Sequence, residues 1–113
     1  MSNMPQVYVS GRYTADTEAE IMVNIRRALD AGDTMLKLGY APIIPHVCMN
    51  HNTSWKKAID HDLEIVRGLC PATDVLVLLP GWEQSKGAEV ERKEAAMRGI
   101  RVVLYDDILM GRL

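Results

Sequence analysis

The sequence contains no phenylalanine, only two cysteines and no long apolar run. Cys48 and Cys70 cannot form a disulfide framework, and 113 residues can fold around a core without one. No segment approaches the roughly 18 apolar residues of a membrane span, and MSNMPQ lacks the basic and apolar regions of a signal peptide. We therefore expect a cytoplasmic protein with no membrane partner.

Basic clusters are also absent, and the net charge is only -2 at pH 7. Proteins that bind nucleic acid polymers usually carry a basic patch that contacts phosphates, so the sequence argues against such a partner. The apolar fraction of 48% and the charged fraction of 25% are typical of a globular domain. We expect one domain over residues 1–113, with small molecules as ligands.

The chain alternates between short apolar runs and segments of helical period. Strands are predicted over residues 6–10, 41–46, 74–80 and 101–105, and helices over about 17–39, 54–70 and 86–98, with a short helix or tail after 105. Strands that are apolar on both faces and separated by helices predict a parallel sheet covered on both sides. The expected fold is a three-layer α/β/α sandwich with a four- to five-stranded, mainly parallel, flavodoxin- or Rossmann-like sheet.

The first predicted helix has an apolar face that also includes Gly32. The other members of this face are Ile21, Ile25, Ala28, Met35 and Leu36. A glycine on such a face predicts that the helix packs closely against the sheet.

Ligands of such a sheet bind beyond the carboxyl ends of its strands, which directs attention to residues 10–14, His46 onward and residues 80–87. Ser85 is a good N-cap, and the backbone N–H groups of Ser-Lys-Gly at a helix start either bind an anion such as phosphate or serve capping alone. The segment is not a P-loop, because Lys86 precedes Gly87 and no GK[ST] follows.

Two carboxylates occupy positions on otherwise apolar or small-residue helix faces. Glu91 shares a stripe with Gly87, Ala88 and Ala95, and the helix dipole is expected to help keep it ionised as a nucleophile. Asp62 lies on the apolar face of the second helix. A carboxylate pair of this kind suits the acid/base chemistry of glycosyl transfer, while an ion pair or an exposed helix edge is the simpler explanation.

His46, Cys48 and His51 form an H-x-C-x-x-H pattern. A metal-dependent hydrolase is one interpretation, but no second ligand pair completes a four-ligand site. We expect neither a metal nor a cofactor, and His46 is predicted to face a ligand from the end of its strand.

Four short motifs together resemble the nucleoside 2-deoxyribosyltransferase-like superfamily, in particular a small bacterial and phage branch related to deoxynucleoside 5'-monophosphate N-glycosidases. The motifs are Y-V-S-G at residues 8–11, D-L-E at 62–64, T-D before the third strand, and S-x-G-x-x-x-E at 85–91. They span nearly the whole chain, so the resemblance implies one such domain over residues 1–113.

The resemblance implies cleavage or transfer of the N-glycosidic bond of a nucleoside or nucleoside 5'-monophosphate. It assigns Glu91 as the nucleophile, Asp62 as the acid/base and Tyr8 as the orienting residue. It also implies a homodimer or higher homo-oligomer. The predicted substrate-binding residues are Ser10, Gly11, Arg12, His46, Ser85 and Gly87. A non-catalytic module that binds or senses a nucleotide with the same pocket is the alternative.

Overall fold

The computed structural model describes residues 4–47 and 54–111. The strands are β1 (Gln6–Ser10), β2 (Ala41–Ile43), β3 (Val75–Leu78) and β4 (Arg101–Leu104). The helices are α1 (Glu18–Lys37), α2 (Trp55–Arg67), α3 (Lys86–Met97) and α4 (Tyr105–Leu109), and single 3-10 turns cover Pro45–Val47 and Trp82–Gln84. Within the described ranges, no helix combines the length and the apolar character that crossing a bilayer requires.

The four strands form one parallel sheet in the order β2-β1-β3-β4. Tyr8 pairs with Leu76, and Val77 pairs with Val103. Helices pack on both faces of this sheet, so the predicted α/β sandwich with a parallel sheet is confirmed. From β1 the chain first adds β2 on one side and later adds β3 on the other side, so the strand order reverses at β1. This reversal leaves a crevice at the carboxyl ends of β1 and β3.

Successive side chains of β1 point to opposite faces of the sheet, and each face has its own hydrophobic cluster. Val7 and Val9 point to the face covered by α1 and α4, where Met35 and Ile108 are also buried. Tyr8 points to the opposite face. There it packs in a cluster that α2 and α3 cover, together with Val66, Leu69, Leu76, Leu78, Ala95 and Ile100. The period-2 pattern of one central strand therefore determines which residues face α3.

Gly32 lies where α1 passes β2. A Cβ atom at this position would lie 2.5 Å from Ile44 Cδ1 and 3.5 Å from Pro42 Cβ. The predicted close packing of the helix against the sheet is confirmed.

The structure differs from the sequence-based prediction at the end of β2 and in the burial of Leu36. β2 ends at Ile43 instead of residue 46, because Pro45 has no N–H to donate to a strand partner and begins a 3-10 turn. Leu36 was predicted on the apolar face of α1, but its side chain is 48% exposed. It lies at the outer margin of the face that Ala28 and Met35 bury, where the helix surface turns away from the sheet.

Asp74 joins three chain segments at the amino-terminal edge of the sheet. Its Oδ1 accepts a hydrogen bond from the backbone N–H of Gln6 (2.8 Å) and its Oδ2 accepts one from the N–H of Cys70 (2.8 Å). The Thr73 hydroxyl donates to Oδ1 (3.1 Å). Because the residue is buried, these bonds satisfy a carboxylate that would otherwise be costly to remove from water.

Replacing Asp74 with alanine is expected to destabilise the fold. The change removes the charged acceptor of two part-buried hydrogen bonds, from the N–H groups of Gln6 and Cys70, at a cost of about 2–4 kcal/mol in the free energy of unfolding. Urea denaturation followed by circular dichroism measures this cost. The exposed Asp16→Ala variant is the matched control and should unfold at the wild-type urea concentration; equal midpoints for both variants would contradict the prediction.

Candidate active site

Glu91 reaches the sheet from the buried side of α3. The helix begins after Ser85, whose hydroxyl accepts from the N–H of Ala88 (3.2 Å), as predicted for an N-cap. The residues of α3 that are buried are Ala88, Glu91 and Ala95. The small side chains on either side allow the helix to lie close to β1, and the carboxylate between them must then find its partners in the sheet.

Two hydroxyl groups of β1 hold the Glu91 carboxylate. Tyr8 Oη donates to Glu91 Oε2 and Ser10 Oγ donates to Glu91 Oε1, both at 2.7 Å. Tyr8 and Ser10 are fully buried, and Glu91 is only 5% exposed. Hydrogen bonds this short to a carboxyl group are strong, so Glu91 has one well-defined orientation.

Burial raises the pKa of Glu91 from 4.5 to about 8. The hydrogen bonds from Ser10 and Tyr8 act in the opposite direction, while the neighbouring Asp62 carboxyl raises the pKa further through its charge and a hydrogen bond. The expectation that the helix dipole keeps Glu91 ionised is therefore not met. Glu91 lies in the second turn of α3, where the dipole has little effect compared with loss of solvation.

A cleft of about 400 Å³ opens beside Glu91, at the carboxyl ends of the strands. Asp62 of α2 lines it together with Glu91 of α3, and the segment after β1 closes the third side. The Asp62 side chain is 15% exposed, and its Oδ1 lies 3.2 Å from Nδ1 of His61. The two carboxyl groups that the sequence singled out thus line one cavity.

The predicted substrate-binding residues divide into two groups. Five of them line the cleft: Gly11, Arg12, His46, Ser85 and Gly87. Ser10 does not, because its side chain is fully buried behind Glu91 and contacts that carboxylate instead of the cavity. Tyr8 lies in the same inner position. Both residues can influence a ligand only through Glu91.

Gly11 has a packing role that its sequence motif did not reveal. A Cβ atom here would lie 2.8 Å from Cδ1 and 2.9 Å from Cβ of Leu79. Leu79 follows β3, and its N–H donates to the carbonyl oxygen of Ser10 (2.9 Å). The missing side chain therefore lets the chain leave β1 close beside β3.

His46 is buried at the cleft wall. Its Nε2–H donates to the carbonyl oxygen of Arg12 (3.2 Å), and its ring lies 6.1 Å from that of Tyr13. Burial lowers the pKa of His46, although the Arg12 carbonyl and the charge of Asp62 oppose this effect. The residue is 6% exposed, and Nδ1 has no hydrogen-bond partner within the described part of the chain. A neutral ring is the form that suits this environment.

The remaining members of the H-x-C-x-x-H pattern, Cys48 and His51, lie outside the described residues. Across residues 4–47 and 54–111, no cluster of three or more His, Cys, Asp or Glu side chains is arranged to hold a metal ion.

Trp55 and Lys86 also line the cleft. Lys86 belongs to the segment to which the sequence directed attention, whereas Trp55 had not been assigned to the site. The Lys86 ammonium lies 5.0 Å from the centre of the Trp55 ring, a cation–π distance, and the ring is 45% exposed. A Cβ on Gly87 would lie 3.7 Å from Trp55 Nε1, so the glycine leaves space beside the ring. One feature of the sequence could have indicated that Trp55 lines the cleft: it lies at the start of the predicted helix that follows the second strand.

The fold and this cavity define a class: a parallel α/β sandwich with a carboxylate-lined cleft at its topological switch point. The sequence matches the family model described as Domain of unknown function (DUF4406) over residues 5–104. The chain belongs to this family. No curated protein matches the sequence.

The raised pKa of Glu91 predicts how stability depends on pH. Between about pH 4.5 and 8 the folded state keeps a proton that the unfolded chain releases, so stability falls as pH rises through this range. Glu91→Gln removes the titration while keeping a side chain of similar shape. At about pH 9 the variant should be more stable than the wild type, on the order of 1 kcal/mol for every pH unit between the two pKa values.

Thermal melting across this pH range measures the difference between the two proteins. The gain should shrink towards zero near about pH 5, and the exposed Glu83→Gln variant should follow the wild type throughout. A constant difference between Glu91→Gln and wild type at all pH values would show that Glu91 does not titrate in this range.

Proposed function

We propose that this protein cleaves or transfers the N-glycosidic bond of a nucleoside or nucleoside 5'-monophosphate through a glycosyl intermediate on Glu91. The observation that carries this proposal is the buried Glu91 carboxyl, oriented by the hydroxyls of Tyr8 and Ser10 and facing the same cleft as Asp62. Covalent glycosyl transfer requires one carboxylate placed as a nucleophile and a second group that handles the proton of the leaving base.

In the first step, an Oε atom of Glu91 forms a bond to C1' of the sugar while the C1'–N bond breaks. The electron pair of that bond leaves with the base, which takes a proton from the Asp62 carboxyl. Tyr8 and Ser10 keep the attacking carboxylate fixed, which reduces the entropy lost on reaching the reactive geometry.

In the second step, a water molecule or a ring nitrogen of another base attacks C1'. The bond to Glu91 breaks, the carboxylate regains its electron pair, and the proton of the attacking group passes to Asp62. Hydrolysis and transfer differ only in this acceptor.

The start of α3 supports recognition of the 5' end of the ligand. Ser85, Lys86 and Gly87 line the cleft, and the first N–H groups of an α-helix attract oxygen ligands, anionic ones above all. Arg12 lines the same cavity, although its Nε donates to the carbonyl oxygen of Thr14 (3.2 Å). A cavity of about 400 Å³ is in the size range of small-molecule sites.

Incubating the protein with a panel of nucleosides and nucleoside 5'-monophosphates should release free base, detected by chromatography. Glu91→Gln should lower the rate at least about a thousandfold, since an amide is a poor nucleophile. In the wild type, intact-mass spectrometry should detect the sugar bound to the protein, and peptide mapping should locate it at Glu91.

Glu83→Gln is the control, because it makes the same chemical change on an exposed residue and should leave the rate unchanged. Base release by Glu91→Gln at the wild-type rate would refute the mechanism.

The pH dependence of kcat/KM gives a second test. The first step needs an ionised Glu91 carboxylate and a protonated Asp62 carboxyl at the same time, so kcat/KM should pass through a maximum and fall on both the acidic and the alkaline side. Tyr8→Phe removes a hydrogen bond that lowers the pKa of Glu91, so it should move the limb of the profile that Glu91 sets, near about pH 8, to higher pH. An identical pH profile for Tyr8→Phe and wild type would contradict the assignment of Glu91 as the titrating group.

The raised pKa favours one second candidate, a module that binds a nucleotide without turnover. A carboxyl group that is protonated near neutral pH donates a hydrogen bond to a ligand and is a weak nucleophile. This candidate predicts that a nucleotide raises the melting temperature while no base is released, and that Glu91→Gln retains binding.

A further inference from the structure

One side of α1 exposes three large apolar side chains in a line. Met22, Leu29 and Leu36 are 62%, 44% and 48% exposed, and they recur at intervals of seven residues. Residues with this spacing lie on the same side of a helix, so the three side chains form a stripe about 20 Å long. Aligned apolar side chains in solvent indicate an interaction surface more strongly than the same residues would singly.

Two opposite charges border this stripe on one side. Arg26 precedes Leu29 by three residues and Asp33 follows it by four. Within the described residues Arg26 makes no ion pair, whereas Asp33 pairs with Lys37 of the same helix at 2.9 Å, with both side chains largely exposed. Such an exposed pair contributes little by itself, so Asp33 can form another one at small cost.

We propose that the stripe binds a second copy of this chain, with the two α1 helices antiparallel and a two-fold axis near Leu29. Met22 then lies opposite Leu36 of the second copy, and Leu29 meets Leu29. Arg26 faces Asp33 of the second copy, and symmetry repeats each contact. Met22 and Leu36 lie seven residues on either side of Leu29, and the two charges lie three residues before it and four after it. This nearly symmetric arrangement is why a second copy fits the surface better than an unrelated protein.

The charges also select the direction of the helices. In a parallel pair the two-fold axis runs along the helices, so the charged side of one copy lies opposite the uncharged side of the other, and Arg26 has no contact with Asp33 of the second copy. The contacts of α1 with its own sheet use other residues. Those buried against the sheet are Ala28, Ala31, Gly32 and Met35. Stripe residues can therefore be changed without removing the core of the fold.

Sedimentation velocity over a concentration series tests the proposal and needs no substrate, so its outcome is independent of the proposed glycosidic chemistry. The wild type should be a dimer, and Leu29→Arg should be a monomer with an unchanged circular dichroism spectrum, because it brings two arginines together at the axis. Met97 of α3 is 82% exposed and lies away from the stripe. Met97→Arg is therefore the matched control and should remain a dimer.

Charge reversal tests the register without adding a charge to the stripe itself. Arg26→Asp or Asp33→Arg alone should raise the dimer dissociation constant by about tenfold or more, since each places like charges opposite each other. The double variant should return close to the wild-type value, although it also lacks the Asp33–Lys37 pair. A monomeric wild type, a dimeric Leu29→Arg variant, or a double variant no tighter than the single ones would overturn the proposal.

Discussion

The buried carboxyl group of Glu91 is the constraint on which the site depends. Its oxygens accept hydrogen bonds from Tyr8 and Ser10, residues more than 80 positions away in the sequence. A carboxyl group removed from water costs free energy unless polar partners surround it, and these two hydroxyls supply them. The pair of bonds joins α3 to the central strand. The residual cost of burial appears as the raised pKa of the group.

The cleft follows from how the chain crosses the sheet. α1 leaves β1 on one face, whereas α2 and α3 cover the other, so the carboxyl ends of β1 and β3 remain open between them. The small side chains of Gly87 and Ala88 leave space at the start of α3. Trp55 lines the cavity in contact with Lys86. The space next to Glu91 is therefore a product of topology and of small side chains acting together.

The two faces of the sheet have different surfaces. On the α2 and α3 face, polar and ionisable groups converge on the cavity. On the α1 face, the outer side of the helix exposes the stripe of Met22, Leu29 and Leu36. None of these three residues lines the cavity. Ligand binding and self-association can therefore be tested with separate variants.

The sequence alone determined the class of fold, because the alternation of apolar strands and helical periods reflects burial that each segment must satisfy locally. It also identified Glu91 and Asp62, since a carboxylate on a small-residue or apolar face is out of place in any helix. Only the tertiary structure decided that Ser10 contacts Glu91 instead of the cavity, that Trp55 lines the cavity, and that burial raises the pKa of Glu91. These outcomes depend on distances between segments far apart in the chain, and periodicity within one segment contains no information about such distances.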